Sequence, residues 1–249
     1  MIGSMATTAK TIGKESYKMF EHVFFDTTEI EAVYEDGKRY YLTPNGAKYP
    51  SVTTVISQKF GTHHLDEWRK RVGEAEANRV SNIAKTRGTA IHSLCEGYVL
   101  NKPDYMKGHM PVNIATFKQI KPVLDEYVTK IYGVEFPLWS DKLKTAGRTD
   151  LIADFDGKMS IVDFKTSKRR KDEDHILNYF VQATCYAHMT AERLNISVPE
   201  QIAIVIAVDE DNSQLFVRNT SDYVDMMYSV FGGRADESTH TRKSGEHNE

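Results

Sequence analysis

The sequence predicts an α/β domain with a mixed central sheet flanked by helices. Three observations carry that expectation. From about residue 84 onward the patterns run helix, three strands, helix, strand, and this order places helices over the faces of one sheet. Ile202–Val208 is an unbroken apolar run of strand length, rich in β-branched residues, the composition of a strand covered on both faces. The 249 residues are 40% apolar and 27% charged, the balance of an ordinary globular chain long enough to bury a core without staples.

Residues 1–18 read as a polar, flexible arm; its opening is expected to be a cloning remnant with Met5 the natural start, in preference to a transit peptide, which the acid-free stretch before Glu15 with Lys10 and Lys14 weakly resembles. One domain is expected over 19–231. Residues 20–42 read as strands, with Asp36-Gly37 as the tight turn of a hairpin between Glu29–Tyr34 and Lys38–Leu42. Pro44-Asn45-Gly46 is a loop, after which Ser51 caps a short helix from Val52 to Phe60. Leu65–Leu100 carries apolar residues at helical spacing and reads as two helices interrupted near Arg87-Gly88. Pro103–Pro111 reads as a loop and Ile114–Ile131 as a helix around Pro122.

Val134–Trp139, Ala146–Asp154 and Met159–Phe164 then read as three strands, with Asp156-Gly157 turning the second into the third. His175–Leu194 has the pattern of an amphipathic helix, Gln214–Arg218 of a strand able to pair with 202–208, and Ser221–Phe231 of a last helix. The tail from Gly232, 232–249, is polar and expected to be disordered.

Several function classes are excluded. Two cysteines, Cys95 and Cys185, cannot supply a disulfide framework, a four-cysteine zinc site or a four-cysteine iron–sulfur site, and no iron–sulfur cluster is expected; both fall in helices and read as buried fillers, which fits a reducing, intracellular compartment. No apolar run reaches membrane-spanning length, so no membrane partner is expected. There is no P-loop, hence no ATP, and no Gly-x-Ser-x-Gly elbow. His63-His64 has no spaced ligand partners and reads as loop. A formal net charge of −3 excludes a protein that coats DNA by bulk charge, but not one that confines cations to a groove.

The sharpest chemical signal is Gly147-Arg148-Thr149-Asp150 followed by Asp163-Phe164-Lys165-Thr166-Ser167. Side chains at i and i+2 share a strand face, so Asp163 and Lys165 point together, and Asp150 on the neighbouring strand can converge on them. Two carboxylates brought together resist ionisation unless a cation sits between them, and hard oxygen ligands suit Mg²⁺ or Mn²⁺. A lysine beside such a cation orients water or balances charge on a phosphate. Alone, Asp-x-Lys is usually a solvated strand face; its place after an apolar strand and after a second aspartate is what sets it apart. His92 and Glu96, at i and i+4, share a helical face and are either further ligands or a surface pair. Tyr179, Gln182 and Tyr186 also share a face, as nucleic-acid contacts or as a core stripe. Lys168-Arg169-Arg170-Lys171 after the strand, and Arg69-Lys70-Arg71 beside Trp68, are candidate phosphate and stacking contacts or solvated surface. Ser51 and Thr53 either hold a phosphate at a helix N-terminus or only cap it.

In this chain order, His92, Gly147–Asp150, Asp163-Phe164-Lys165 and Gln182-x-x-x-Tyr186 resemble the motif series of RecB-type PD-(D/E)xK nucleases. Tyr49-Pro50-Ser51-Val52-Thr53-Thr54-Val55, Leu65–Lys70 and Arg87-Gly88-x-x-x-His92 extend the resemblance to the mitochondrial genome maintenance exonucleases and their phage relatives, over roughly residues 49–231. The resemblance implies a restriction-endonuclease-like fold and an exonuclease acting on single-stranded DNA ends with Mg²⁺ or Mn²⁺. It implies metal ligation by His92, Asp150, Asp163 and the Phe164 carbonyl, catalysis by Asp150, Asp163 and Lys165, and support from Glu96, Gln182 and Tyr186. Ser51, Thr53, Trp68, Arg69, Arg87, Arg148, Lys168 and Tyr179 are the candidate DNA contacts. By the same analogy residues 65–100 form an arch over the site. A bacterial or phage-infected cytoplasm is the expected setting, with a mitochondrion the alternative if a presequence is missing. A structure-specific endonuclease and a non-catalytic nucleic-acid-binding module on the same fold are the competing readings.

Overall fold

The computed structural model describes residues 10–12, 15–61, 63–209 and 211–232. Strands β1 (Lys10–Ile12) and β2 (Glu15–Tyr17) pair antiparallel within the stretch read as a loose arm. Then come β3 (Glu21–His22), β4 (Glu31–Glu35), β5 (Lys38–Leu42), β6 (Lys48–Pro50) and the helices α1 (Val52–Phe60), α2 (His63–Val72), α3 (Glu74–Val99) and α4 (Pro111–Tyr127). The second half holds β7 (Val128–Ser140), β8 (Thr145–Phe155), β9 (Lys158–Ser167), α5 (Leu177–Leu194), β10 (Gln201–Val208), β11 (Gln214–Asn219) and α6 (Val224–Phe231). The polar tail beyond Gly232 lies outside the described residues.

Six strands form the central sheet in the order β11-β10-β9-β8-β7-β3. It is mixed: β9 and β10 run parallel, as do β3 and β7, while the other neighbours are antiparallel. The parallel β9–β10 pair follows from α5, which carries the chain across one face between them. That face packs against α1, α5 and α6 through Val52, Ile152, Ile161, Phe180, Ile204 and Phe231. The other face packs against α3 and α4 through Ile91, Leu94, Phe117, Leu151, Val162 and Val205. Alternate residues of β10 feed the two layers, which is why its whole run is apolar.

The small three-stranded sheet β4-β5-β6 stands apart. Its first turn is the expected two-residue hairpin: Glu35 pairs with Lys38, and Asp36 (φ 48°) and Gly37 (φ 73°) take the left-handed conformation that such a turn requires. Asp156 (φ 51°) and Gly157 (φ 77°) repeat this device between β8 and β9. Ile30, Tyr41, Tyr49 and Ala146 bury one another and tie the small sheet to the start of β8.

Three further expectations are corrected. Helix α3 runs unbroken through Arg87-Gly88, because a glycine inside a long helix weakens it without ending it. The break lies at Gly73, whose φ of 84° separates α2 from α3. The fourth helix starts with Pro111 in its first turn and ends at Tyr127, not at Ile131. Val128–Ile131 belongs to β7, where β-branched Val128, Thr129 and Ile131 suit a strand. His63-His64 opens α2 and is not loop.

Candidate active site

The β8–β9 ladder pairs Leu151 with Val162 and goes no further toward Asp150 and Asp163. Beyond that pair the strands part, and the backbone N–H of Phe164 is taken by the Asp150 carboxylate, Oδ2 accepting at 2.7 Å. Asp150 and Asp163 therefore sit side by side at the fork. Lys165, two residues on, lies on the same face as Asp163 and its ammonium stands 2.5 Å from Asp163 Oδ2. Its other neighbour is the Tyr179 ring on α5, with Nζ 5.2 Å from the centroid. Gln182, one turn further along α5, donates from Nε2 to Asp163 Oδ1 at 3.1 Å.

On the opposite side α3 buries Ile91, Leu94 and Cys95 against the sheet, which turns His92 toward the fork. Its Nδ1 lies 3.3 Å from Asp150 Oδ1, and its ring meets Phe164 edge-on. Glu135 of β7 completes the group. The register sets Val134 opposite Leu151 and Phe136 opposite Thr149, so Glu135 falls opposite Asp150. Its positive φ of 45° breaks the regular strand conformation at that point. One ligand atom each from His92, Glu135 and Asp150 lies within 4.8 Å of the others.

The charges answer to this crowding. Burial pushes the Asp150 carboxyl up, but the His92 imidazole, with help from Lys165 and the Phe164 N–H, holds it below its ordinary range. Asp163 goes the other way: burial raises it to about 6, since Lys165 offsets only part of the desolvation and Asp150 adds repulsion. Burial pulls His92 down, yet the Asp150 carboxylate outweighs it and the imidazole reaches about 9. Glu135 is raised by burial and then by Asp150. Burial acts to lower Lys165, but Asp163 and Asp150 together keep its ammonium above its ordinary value.

These groups open into a cleft of about 540 Å³ lined by Arg39, Tyr41, Thr53, Gly88, Thr89, His92, Ser93, Glu96, Glu135, Arg148, Asp150, Lys165, Gln182 and Tyr186. Gly147 makes room for Tyr186: a Cβ there would lie 2.6 Å from the tyrosine Oη. Glu96 is at the rim, engaged by Lys102 at 3.1 Å. Arg148 is paired with Glu29 and donates to the Glu135 carbonyl at 3.1 Å.

The remaining DNA-contact candidates divide. Thr53 lines the cleft, but Ser51 is fully buried and its hydroxyl caps α1, accepting from the Thr54 N–H at 3.1 Å. Trp68 is half-buried on α2. Arg69 reaches Glu74 and Asn78 near the start of α3. Arg87 pairs with Asp209 and borders a separate groove of about 800 Å³. Lys168 is exposed, close enough to Glu76 to join Arg79 in lowering that carboxyl. Tyr179 spends its face on Lys165. Sequence reasoning missed Glu135, Arg39 and Tyr41. The first follows once the turn after Ser140 is known: extending the register inward from Ser140–Thr145 lands Glu135 on Asp150.

A mixed sheet that presents one aspartate from β8 and Asp-x-Lys from β9, faced by a helix-borne histidine, defines a nuclease of the restriction-endonuclease-like class. The family model of the PD-(D/E)XK nuclease superfamily matches residues 64–216, more than half of the sequence, and the chain belongs to that superfamily. It is 22% identical over 174 residues to mitochondrial genome maintenance exonuclease 1 of Mus musculus, an alignment covering 66% of this chain and 51% of that protein. The chain thus spans about half the length of that relative. Among solved structures it is similar to a Eubacterium rectale protein assigned as an exonuclease by inference, with a TM-score of 0.40, 13% identity, and coverage of 63% of this chain and 66% of that one. Among the described residues no helix is long and apolar enough to cross a membrane.

Proposed function

We propose that the protein is a divalent-metal-dependent exonuclease that hydrolyses phosphodiester bonds at single-stranded DNA ends. The observation that carries this reading is the convergence of His92, Asp150 and Lys165 on one cleft, from a crossing helix and two diverging strands, with Asp163 buried behind Lys165 and Gln182. The donors fit a hard cation. An imidazole and two carboxylates stand close enough to share one ion, and the buried Asp163 Oδ2 has no partner among the described residues besides the Lys165 ammonium. His92, Asp150 and Glu135 would hold such an ion, with Asp163 and the Phe164 carbonyl as the further ligands that the motif resemblance implies. A bound Mg²⁺ or Mn²⁺ supplies Lewis acidity and a water of lowered pKa.

The protein's own groups do the rest. Lys165 holds a positive charge beside the carboxylates, placed to stabilise the oxygens that gain charge as water attacks phosphorus and the sugar oxygen leaves. Gln182 fixes the rotamer of Asp163, and Tyr186, seated over Gly147, walls the cleft. The preference for single-strand ends is supported by the helical region. From Glu74 to Ala90 only Ala77 is buried, so α2 and the first half of α3 stand largely clear of the core, as an arch would.

The test is digestion of end-labelled linear single-stranded DNA by the wild type and by Lys165→Ala, with Mg²⁺, Mn²⁺ or EDTA. Metal-dependent loss of label with the wild type only is the expected result. Cleavage in EDTA, or full activity of the variant, contradicts the assignment.

A further inference from the structure

The small β4-β5-β6 sheet has no role in the chemistry above, yet it sends two side chains into the catalytic cleft. Arg39 and Tyr41 are two apart on β5 and so share a face, and both line the cleft beside His92, Asp150 and Lys165. The backbone beneath Arg39 is fixed: its carbonyl accepts from the Ser51 N–H at 2.8 Å and from the Thr54 hydroxyl at 3.3 Å. The guanidinium is steered from two sides. Nη2 donates to Thr53 Oγ1 at 3.0 Å, and Cζ lies 5.5 Å from the Tyr41 ring centroid. Tyr41 is itself 3% exposed, packed with Ile30, Tyr49 and Ala146 against the root of β8, so this platform is continuous with the strand that carries Asp150.

Charge bookkeeping separates Arg39 from the other cations of the cleft. Lys165 is paired with Asp163, Arg148 with Glu29, and His92 with Asp150. Arg39 makes no ion pair among the described residues. Three carboxylates, Glu96, Glu135 and Asp150, line the same cleft. A polyanionic strand entering there meets one arginine whose charge is not already committed, aimed and held in advance. An arginine fork of this kind is suited to phosphate oxygens.

We propose that Arg39 is a positioning residue that takes a non-scissile phosphate of the DNA strand, which makes the N-terminal sheet part of the substrate site. The inference rests on the nuclease reading but is tested apart from it. Binding of a fluorescein-labelled single-stranded DNA oligonucleotide is followed by anisotropy over a salt series, with Mg²⁺, for Lys165→Ala and for the double variant carrying Arg39→Gln. Loss of one phosphate contact weakens binding at least tenfold, corresponding to a charge-assisted hydrogen bond, and reduces the slope of log affinity against log salt by about 0.7. Arg39→Lys restores the slope, and Thr53→Val keeps it while weakening binding a few-fold. If Arg39→Gln fails to fold, Arg39→Met, which also removes the charge, takes its place, and the same loss of slope is expected of it.

In the wild type, single neutral methylphosphonate linkages scanned through the oligonucleotide lower kcat/KM at one linkage away from the cut, and Arg39→Gln abolishes that dip. A merely structural Arg39–Thr53 strut moves neither the slope nor the dip. An unchanged slope, or a dip that survives in Arg39→Gln, overturns the proposal even where the wild type cuts DNA. A changed slope in a protein that never cuts DNA upholds it and overturns the nuclease reading. Absence of binding overturns both.

Discussion

Gly147→Ala is the most economical perturbation of the site. The added methyl would stand 2.6 Å from Tyr186 Oη, 3.0 Å from its Cε1 and 3.2 Å from its Cζ, against an ordinary carbon contact of about 3.5–4.0 Å. Tyr186 is 3% exposed and packed on α5, so it cannot swing into solvent. It must shift by about 1 Å, or β8 must, and overpacking of this kind costs about 1–3 kcal/mol. At about 2–4 °C per kcal/mol for a domain of this size, the Tm falls by about 2–12 °C. The shift is felt next to Arg148 and Asp150, and a displacement of about 1 Å at a reacting geometry costs on the order of 10²-fold in rate. Tyr186→Phe removes the closest contact, so the double variant recovers most of the stability and part of the rate. Thermal melts and single-turnover cleavage of the four proteins of this cycle provide the check. A Gly147→Ala protein with wild-type Tm and rate refutes the packing argument, and a double variant no better than the single refutes the role given to Oη.

Three further outcomes follow from the same geometry. Glu135→Gln lowers Mn²⁺ affinity, read by calorimetric titration, by on the order of tenfold (a loss of about 1.4 kcal/mol), with an unchanged circular dichroism spectrum; wild-type affinity removes Glu135 from the ligand set. Ser51→Ala lowers stability by about 1 kcal/mol through loss of the α1 cap and leaves DNA affinity as it was; weakened binding at unchanged Tm places its hydroxyl on DNA instead. In EDTA the His92 contribution to stability is fully present below its ordinary pKa of 6.5 and is lost as the pH rises through about 9, because the folded-state pKa is raised. The Tm difference between wild type and His92→Gln therefore shrinks across that window, and a difference that grows with pH contradicts the assigned ion pair.

How much of this was legible beforehand depended on whether the signal was local. Asp36-Gly37 and Asp156-Gly157 announced their hairpins because the turn chemistry sits in two adjacent residues. The i, i+2 rule was enough to put Asp163 and Lys165 on one face. The apolar continuity of Ile202–Val208 was enough to bury it. The helix boundaries failed where two local preferences compete: Gly88 reads as a breaker but is tolerated inside a long helix, while Gly73 breaks the chain through its positive φ. Val128–Ile131 satisfies a helical period but is β-branched, and the neighbouring strands decide the matter. Glu135 depends on cross-strand register, which needs the length of the turn after Ser140. Arg39 and Tyr41 reach the site only through the packing of one sheet on another, and no window of the sequence holds that information.

The central claim is that this cleft cuts DNA from an end. It is tested most directly by giving the wild-type protein linear and closed circular single-stranded DNA of the same sequence, in parallel, with Mg²⁺ and with EDTA. Progressive loss of the linear strand in Mg²⁺, with the circle intact and both preserved in EDTA, is the predicted result. Cutting of the circle contradicts the requirement for an end, and degradation that persists in EDTA contradicts the metal-dependent site itself.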